Sequence, residues 1–176
     1  MQVRYSPISV WLHWLMLVLL IAVYASIELR VLFERGTDAR ELMKTSHFLL
    51  GLSIFTLVWL RLLARLVTAT PERETYGPWQ LWSAKLMFIA LYALMIGMPV
   101  LGWLLISAEG HRLFILGWQL PLLLAEDPVL AEKIEEVHET VGTLGYFLIG
   151  LHSAAALFHH FVKRDDTLKR ILRFKG

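Results

Sequence analysis

His138-Glu139-Thr140-Val141-Gly142-Thr143-Leu144-Gly145-Tyr146-Phe147-Leu148-Ile149-Gly150-Leu151-His152 is the stretch that decides the fold. From Thr140 the chain runs 23 residues without a charge, to Val162. A helix needs ~20 apolar residues to cross the hydrocarbon of a bilayer, so this one spans. An ionisable side chain inside such a span is costly unless partnered, which makes each histidine a functional candidate. His138 and His152 are 14 residues apart. At 3.6 residues per turn that falls ~40° short of four turns, so both leave nearly one face, ~21 Å apart along the axis. One helix can therefore serve two sites at two depths.

Working outward, uncharged stretches of 23, 16 and 23 residues run from Tyr5 to Ile27, Thr45 to Leu60 and Leu86 to Ala108. The middle one reaches full length only if its helix continues through Arg61 and Arg65 to Val67, with those guanidiniums snorkelling or paired. The spacing predicts spans at about residues 7–29, 45–67, 84–107 and 138–162. The fold class is all-α: an integral membrane four-helix bundle, with residues 1–176 forming a single domain. Composition agrees, with 57% hydrophobic and 18% charged residues and a mean hydropathy of +0.57. The first apolar run is longer than the 7 to 15 residues of a signal-peptide core, so it is read as a retained helix.

Flanking cations set the direction. With the amino terminus inside, the inner side holds Arg4, Arg61, Arg65, Arg73, Lys85, Lys163, Arg164, Lys169, Arg170, Arg173 and Lys175, eleven of the seventeen cations. Four of the fifteen acids join them, for an inner net charge of +7 and an outer one of −5. Both termini are expected in the cytoplasm. The basic run after Lys163 is a topology signal and a contact for anionic lipids, so a pI near 9.0 does not point to nucleic acid. Pro71, Glu72, Arg73, Glu74, Gly77 and Pro78 read as a polar turn, and Asp127-Pro128 as an N-cap and first-turn pair opening a helix into the fourth span. Trp11, Trp14, Trp79 and Trp82 towards one face, with Trp103 and Trp118 towards the other, fit interfacial belts.

Six of the seven histidines, His13, His47, His138, His152, His159 and His160, lie in or at the ends of spans. Entry from inside places His13 in the inner half with His152. Entry from outside places His47 level with His138. Each level thus offers two histidines from different helices. Two axial imidazoles suit a six-coordinate haem iron built for electron transfer. Zinc or copper usually takes three or four protein ligands, and there are no cysteines to supply them. The absence of cysteine also excludes disulfides and covalently attached haem, so two non-covalent b haems are the reading. Gly51 and Gly142 each follow an outer histidine by four residues, either to let a macrocycle approach the backbone or as ordinary small-residue helix contacts. Arg61 and Arg65, one turn apart, are candidates for haem propionates, with snorkelling to lipid phosphates the alternative.

The opening Ser9-Val10-Trp11-Leu12-His13-Trp14 and the fourth helix, from Gly145 through His152 and Ala154-Ala155-Ala156 to His159-His160, resemble the bacterial cytochrome b561 family over essentially the whole chain. The resemblance implies that His13 with His152 ligates an inner haem and His47 with His138 an outer one. It implies a bacterial inner-membrane, multi-pass protein exchanging electrons with the quinone pool, and one type in the family oxidises superoxide while reducing ubiquinone. Relatives of that type carry histidine near the start of the third helix, where this chain has Lys85 and Phe88. Candidates for a quinone site are His159, Lys85 and His160, with headgroup contact the competing reading for the histidines. His111, in an outer loop, is read as solvated.

The functional expectation is transmembrane electron transfer, with an unknown donor, membrane lipids and quinone as partners and no nucleic acid. Two alternatives accompany it. One is a superoxide oxidase reducing ubiquinone, against which the outer charge of −5 counts, although Arg30, Arg35, Arg40 and Lys44 form a local basic patch near His47. The other is a cytochrome subunit anchoring a periplasmic oxidoreductase, with the acidic segment from Glu126 to Glu139 as its docking surface.

Overall fold

A computed structural model describes residues 5–68, 77–115 and 117–172. Arg4, Arg73, Arg173 and Lys175 of the charge asymmetry, and Pro71, Glu72 and Glu74 of the second turn, lie outside the described residues. Four long helices cross the structure: α1 (Pro7–Leu29), α2 (Asp38–Val67), α3 (Pro78–Ala108) and α4 (Pro128–Phe158). A 3₁₀ turn, Arg30–Leu32, follows α1. A two-stranded hairpin, β1 (Phe114–Ile115) with β2 (Trp118–Gln119), sits in the α3–α4 connection, and a single π-helical turn, His159–Lys163, leads to the short α5 (Lys169–Leu172). The end where α1 begins and α4 finishes is called inner below.

Local chemistry sets the helix starts. Ser6, Thr37 and Asp127 accept from backbone amides of the first turns of α1, α2 and α4, while Pro7, Pro78 and Pro128 occupy first positions where no amide is needed. Three spans are longer than expected for this reason. The Thr37 cap, with Asp38 and Glu41 in the first turn, starts α2 seven residues before Thr45, and the Asp127 cap starts α4 ten residues before His138. Pro78 starts α3 six residues before position 84. At its other end α2 does run through Arg61 and Arg65 to Val67.

The surface is apolar. The most hydrophobic windows of α1 and α3 have mean hydropathy 2.2, yet only 11% and 17% of their residues are buried. Leu66, Val67, Trp79, Trp82, Phe147 and Phe161 all face outward. In water such a surface would drive association; in a bilayer it is matched to its solvent. The chain is a multi-pass membrane protein. Trp11, Trp79, Trp82 and Trp118 are exposed as a belt requires, but Trp14 and Trp103 give their indole N–H groups to the carbonyls of Ile171 and Pro121, at 2.9 and 3.0 Å.

Inside, Met16 and Val23 of α1, Ile54 and Val58 of α2, and Tyr92 and Met95 of α3 form the core. No α4 side chain belongs to this cluster. The backbone of α4 packs on α3, as α1 packs on α2. Across the remaining seam, between α4 and the α1–α2 pair, contact passes through side chains. That seam holds the histidines.

Candidate functional site

Two pairs of imidazoles bridge the seam. The rings of His13 (α1) and His152 (α4) have centroids 6.3 Å apart with planes at 65°. Those of His47 (α2) and His138 (α4) are 6.2 Å apart at 72°. The second pair lies 14 residues, ~21 Å, along α4 from the first. A metal–imidazole bond is about 2 Å and a ring nitrogen sits roughly 1 Å from its ring centre, so two imidazoles trans on one metal have centres about 6 Å apart. Each pair has the spacing of a two-histidine axial site. Among the described residues no group of three His, Asp or Glu converges as a zinc site would require.

Hydrogen bonds orient the rings. His47 Nδ1 lies 2.9 Å from the Val23 carbonyl and 3.4 Å from Ser26 Oγ, whose own hydroxyl donates to the same carbonyl. A carbonyl only accepts, so Nδ1 carries the proton and Nε2 keeps its lone pair for a metal. His138 Nδ1 is buried without a partner among the described residues, and Gly102 leaves space at this ring, where an added Cβ would sit 3.5 Å from His138 Cε1. An orphaned buried ring nitrogen is expensive, and a site that receives a further polar or metal partner accounts for it.

The inner pair differs. Arg61, half-buried, places Nη2 3.0 Å from His13 Nδ1 and Nη1 3.9 Å from Met16 Sδ. A guanidinium has no lone pair, so Nδ1 is here the acceptor. Arg65, a turn further in, lies flat over the Phe88 ring, 3.8 Å from its centroid, in an open cleft of about 640 Å³ formed with Trp59, Leu62, Leu63 and Leu66. The two arginines have different surroundings, one against an imidazole inside the bundle and one against an aromatic ring in a lipid-facing cleft.

At the inner end, His159 Nδ1 donates to Asp165 Oδ2 at 2.5 Å. The contact is made because Arg164 adopts a left-handed backbone (φ 57°) that turns the chain back, with Asp165 N bonded to the His159 carbonyl. Burial raises the Asp165 carboxyl, but hydrogen bonds from His159 and Thr167 outweigh it and hold it at about 2. Asp165 is thus ionised throughout the physiological range. Sequence reading missed it, and Asp165-Asp166 after a basic run is the signal it left. Lys85 is exposed on α3 with Nζ 5.1 Å from the Trp82 ring centre, and forms no hydrogen bond or ion pair with His159 or His160 among the described residues. His160 is half-buried, its Nδ1 lacking a partner among the described residues, and His111 pairs with Glu109 at the exposed outer end. Gly142 meets Met98 rather than a histidine, and an added Cβ at Gly51 would meet nothing.

Four spanning helices with histidine pairs facing one another at two depths define a membrane cytochrome b. The sequence model of the prokaryotic cytochrome b561 family matches residues 4–174, and the chain belongs to that family. It is 34% identical over 170 residues to cytochrome b561 homolog 1 of Escherichia coli (strain K12), covering 96% of this chain and 97% of the relative. It is 32% identical over 173 residues to a Yersinia pestis protein called "Probable superoxide oxidase CybB", covering 98% and 97%, and 29% identical over 175 residues to cytochrome b561 homolog 2 of E. coli, covering 96% and 91%. Membership carries b-haem binding and electron transport in a membrane.

Proposed function

We propose that the chain carries electrons across a bacterial inner membrane between two b haems, with its termini in the cytoplasm and the quinone pool as one partner. The two imidazole pairs, 6.3 and 6.2 Å between centres and one above the other on α4, carry this reading. Haem supplies a reversible one-electron iron couple. The protein would supply the rest: His13 with His152 and His47 with His138 as the residues that hold the iron, and a seam crossed by side chains rather than by close backbone packing. At the outer level Val23 and Ser26 fix the tautomer that presents Nε2 of His47. At the inner level His13 can present Nε2 only with Nδ1 protonated, so Arg61 must then turn its donors to another acceptor. A propionate carboxylate is the acceptor a guanidinium fork fits.

Quinone reduction consumes protons, and His159 at the inner end is suited to deliver them. Its Nδ1 is held by Asp165, which fixes the ring. Lys85 and His160 remain candidates for contact with the quinone headgroup.

Two haems per chain in a reduced-minus-oxidised b-type spectrum are expected, with about half lost in His13→Ala and in His47→Ala. Fewer than two haems per chain, or full loading of both variants, refutes the proposal. Superoxide oxidation is the second reading, favoured by the name of the Yersinia relative. The outer charge of −5 opposes it, and the Arg40 guanidinium is already engaged by the carbonyls of Arg30 and Phe33. Stopped-flow mixing with superoxide decides, since a superoxide oxidase must show fast haem reduction. A cytochrome subunit anchoring a periplasmic oxidoreductase, the remaining alternative, predicts a co-purifying partner.

A further inference from the structure

Val23, Ser26 and Arg30 recur at three and four residues, so they share one face of α1 and its 3₁₀ extension. Val23 and Ser26 both touch His47, which puts Arg30 one turn further out on the same face, above the outer pair. Arg30 Nε is buried and meets no hydrogen-bond partner, and no carboxylate pairs with this guanidinium among the described residues. A buried donor on a charged group is among the most expensive to leave unmatched. The turn bearing it is also held in place, because Arg40 Nη1 donates to the Arg30 carbonyl at 3.2 Å and to that of Phe33 at 2.9 Å. One arginine clamps the backbone of another whose own Nε is unsatisfied among the described residues.

We infer that Arg30 is a cofactor-binding residue: its guanidinium receives a carboxylate at the outer site, the propionate of the haem held by His47 and His138. The inference rests on the two-haem reading above and adds a residue to it. It also gives the sites a common plan, with Arg61 on the inner pair and Arg30 over the outer one, each a cation without an acidic partner of its own. Haem carries two carboxylates, and neither arginine has one among the described residues. A small anion from solution has the same chemistry as a propionate, so the test separates the two.

The experiment uses the full-length, haem-loaded protein in lipid nanodiscs, with Arg30→Gln, Arg30→Lys, Arg40→Gln and His47→Ala. Redox titration is resolved into two steps, the outer one assigned as that lost in His47→Ala, and haem transfer to excess apomyoglobin is timed. Arg30→Gln is expected to lower the outer midpoint potential, because a cation favours the reduced site. It should also speed loss of the outer haem about ten- to a hundredfold, the equivalent of one charged hydrogen bond, and leave the inner step unchanged. Lys should restore the potential more than the retention, since a point charge lacks the fork. Arg40→Gln should give a smaller change of the same sign, and keeps the inference testable if Arg30→Gln does not assemble. Two haems with an unaltered outer potential and transfer rate in Arg30→Gln overturn it. So does an outer potential that depends on added chloride or phosphate in the wild type but not in Arg30→Gln, the mark of a solution anion. Fewer than two haems in the wild type refutes the underlying reading instead.

Discussion

Gly145→Ala should damage this protein more than any other single methyl group added to α4. A Cβ at that position would lie 2.1 Å from the Tyr24 hydroxyl and 3.2 and 3.3 Å from the Leu94 methyls, so one side chain must move. The Tyr24 hydroxyl moves first, being the end of its side chain, and it then gives up its 2.9 Å bond to the Gly142 carbonyl. Hydrogen bonds between membrane helices are worth ~0.6 kcal/mol on average and up to ~1.7. Overpacking against Leu94 adds ~1–3 kcal/mol. The total is about 2–5 kcal/mol, localised on the seam that carries both histidine pairs. Reversible unfolding in mixed micelles, followed by tryptophan fluorescence and the haem Soret band, measures it. Tyr24→Phe in the same background removes the oxygen that clashes, so the alanine penalty should shrink by about 1 kcal/mol or more in a double-mutant cycle. Gly150→Ala is the control, since its Cβ would meet nothing within 4 Å. A Gly145→Ala variant within about 0.5 kcal/mol of wild type, or a penalty unchanged by Tyr24→Phe, refutes the packing argument.

Arg61→Gln should lower the midpoint potential of the inner step and leave the outer one in place, read by the same redox titration; equal shifts in both would mean a global change in packing. Asp165 is held at about 2, below its ordinary 3.8, so its link to His159 stabilises the fold at pH above ~4 and is lost as pH falls from there towards 2. Asp165→Asn should therefore unfold more easily than wild type at pH 5 to 7, with the two converging near pH 2, in acid-denaturation scans; a constant gap would contradict this. Trp14→Phe removes the bond to the Ile171 carbonyl, so limited proteolysis after Lys163 should become faster without loss of haem.

The spans were legible because each rests on a local count of uncharged residues, and even the short second run ended where reading through Arg61 and Arg65 placed it, at Val67. Pairing by depth was legible too, since antiparallel helices convert sequence position into height. What a helix faces sideways was not. Arg61 finds His13 across 48 residues and Tyr24 finds Gly142 across 118, distances at which a single sequence holds no periodic signal. The glycine beside a histidine proved to be Gly102 on α3, not Gly51 or Gly142 on the histidines' own helices, because the closest approach is between helices and not along one. The hairpin at 114–119 and the π-helical turn were missed for a related reason. Gly117 with φ 84° marks the first only once the strands are seen, and the second depends on one extra residue inside a run that reads as ordinary helix.

The two levels are built from the same parts but not with the same polarity, and on the proposed function that difference gives the electron a direction. His47 leans on a neutral carbonyl and a serine hydroxyl, which steady the ring without adding charge. His13 is 3.0 Å from a half-buried guanidinium, a distance at which the field of a charge is only partly screened. Arg30 stands one turn beyond Ser26 and makes no hydrogen bond to either outer histidine among the described residues. A buried cation favours whichever state of its neighbour carries one more electron. On that reading the inner midpoint potential should lie above the outer one in the redox titration, and an outer potential equal to or above the inner one refutes it.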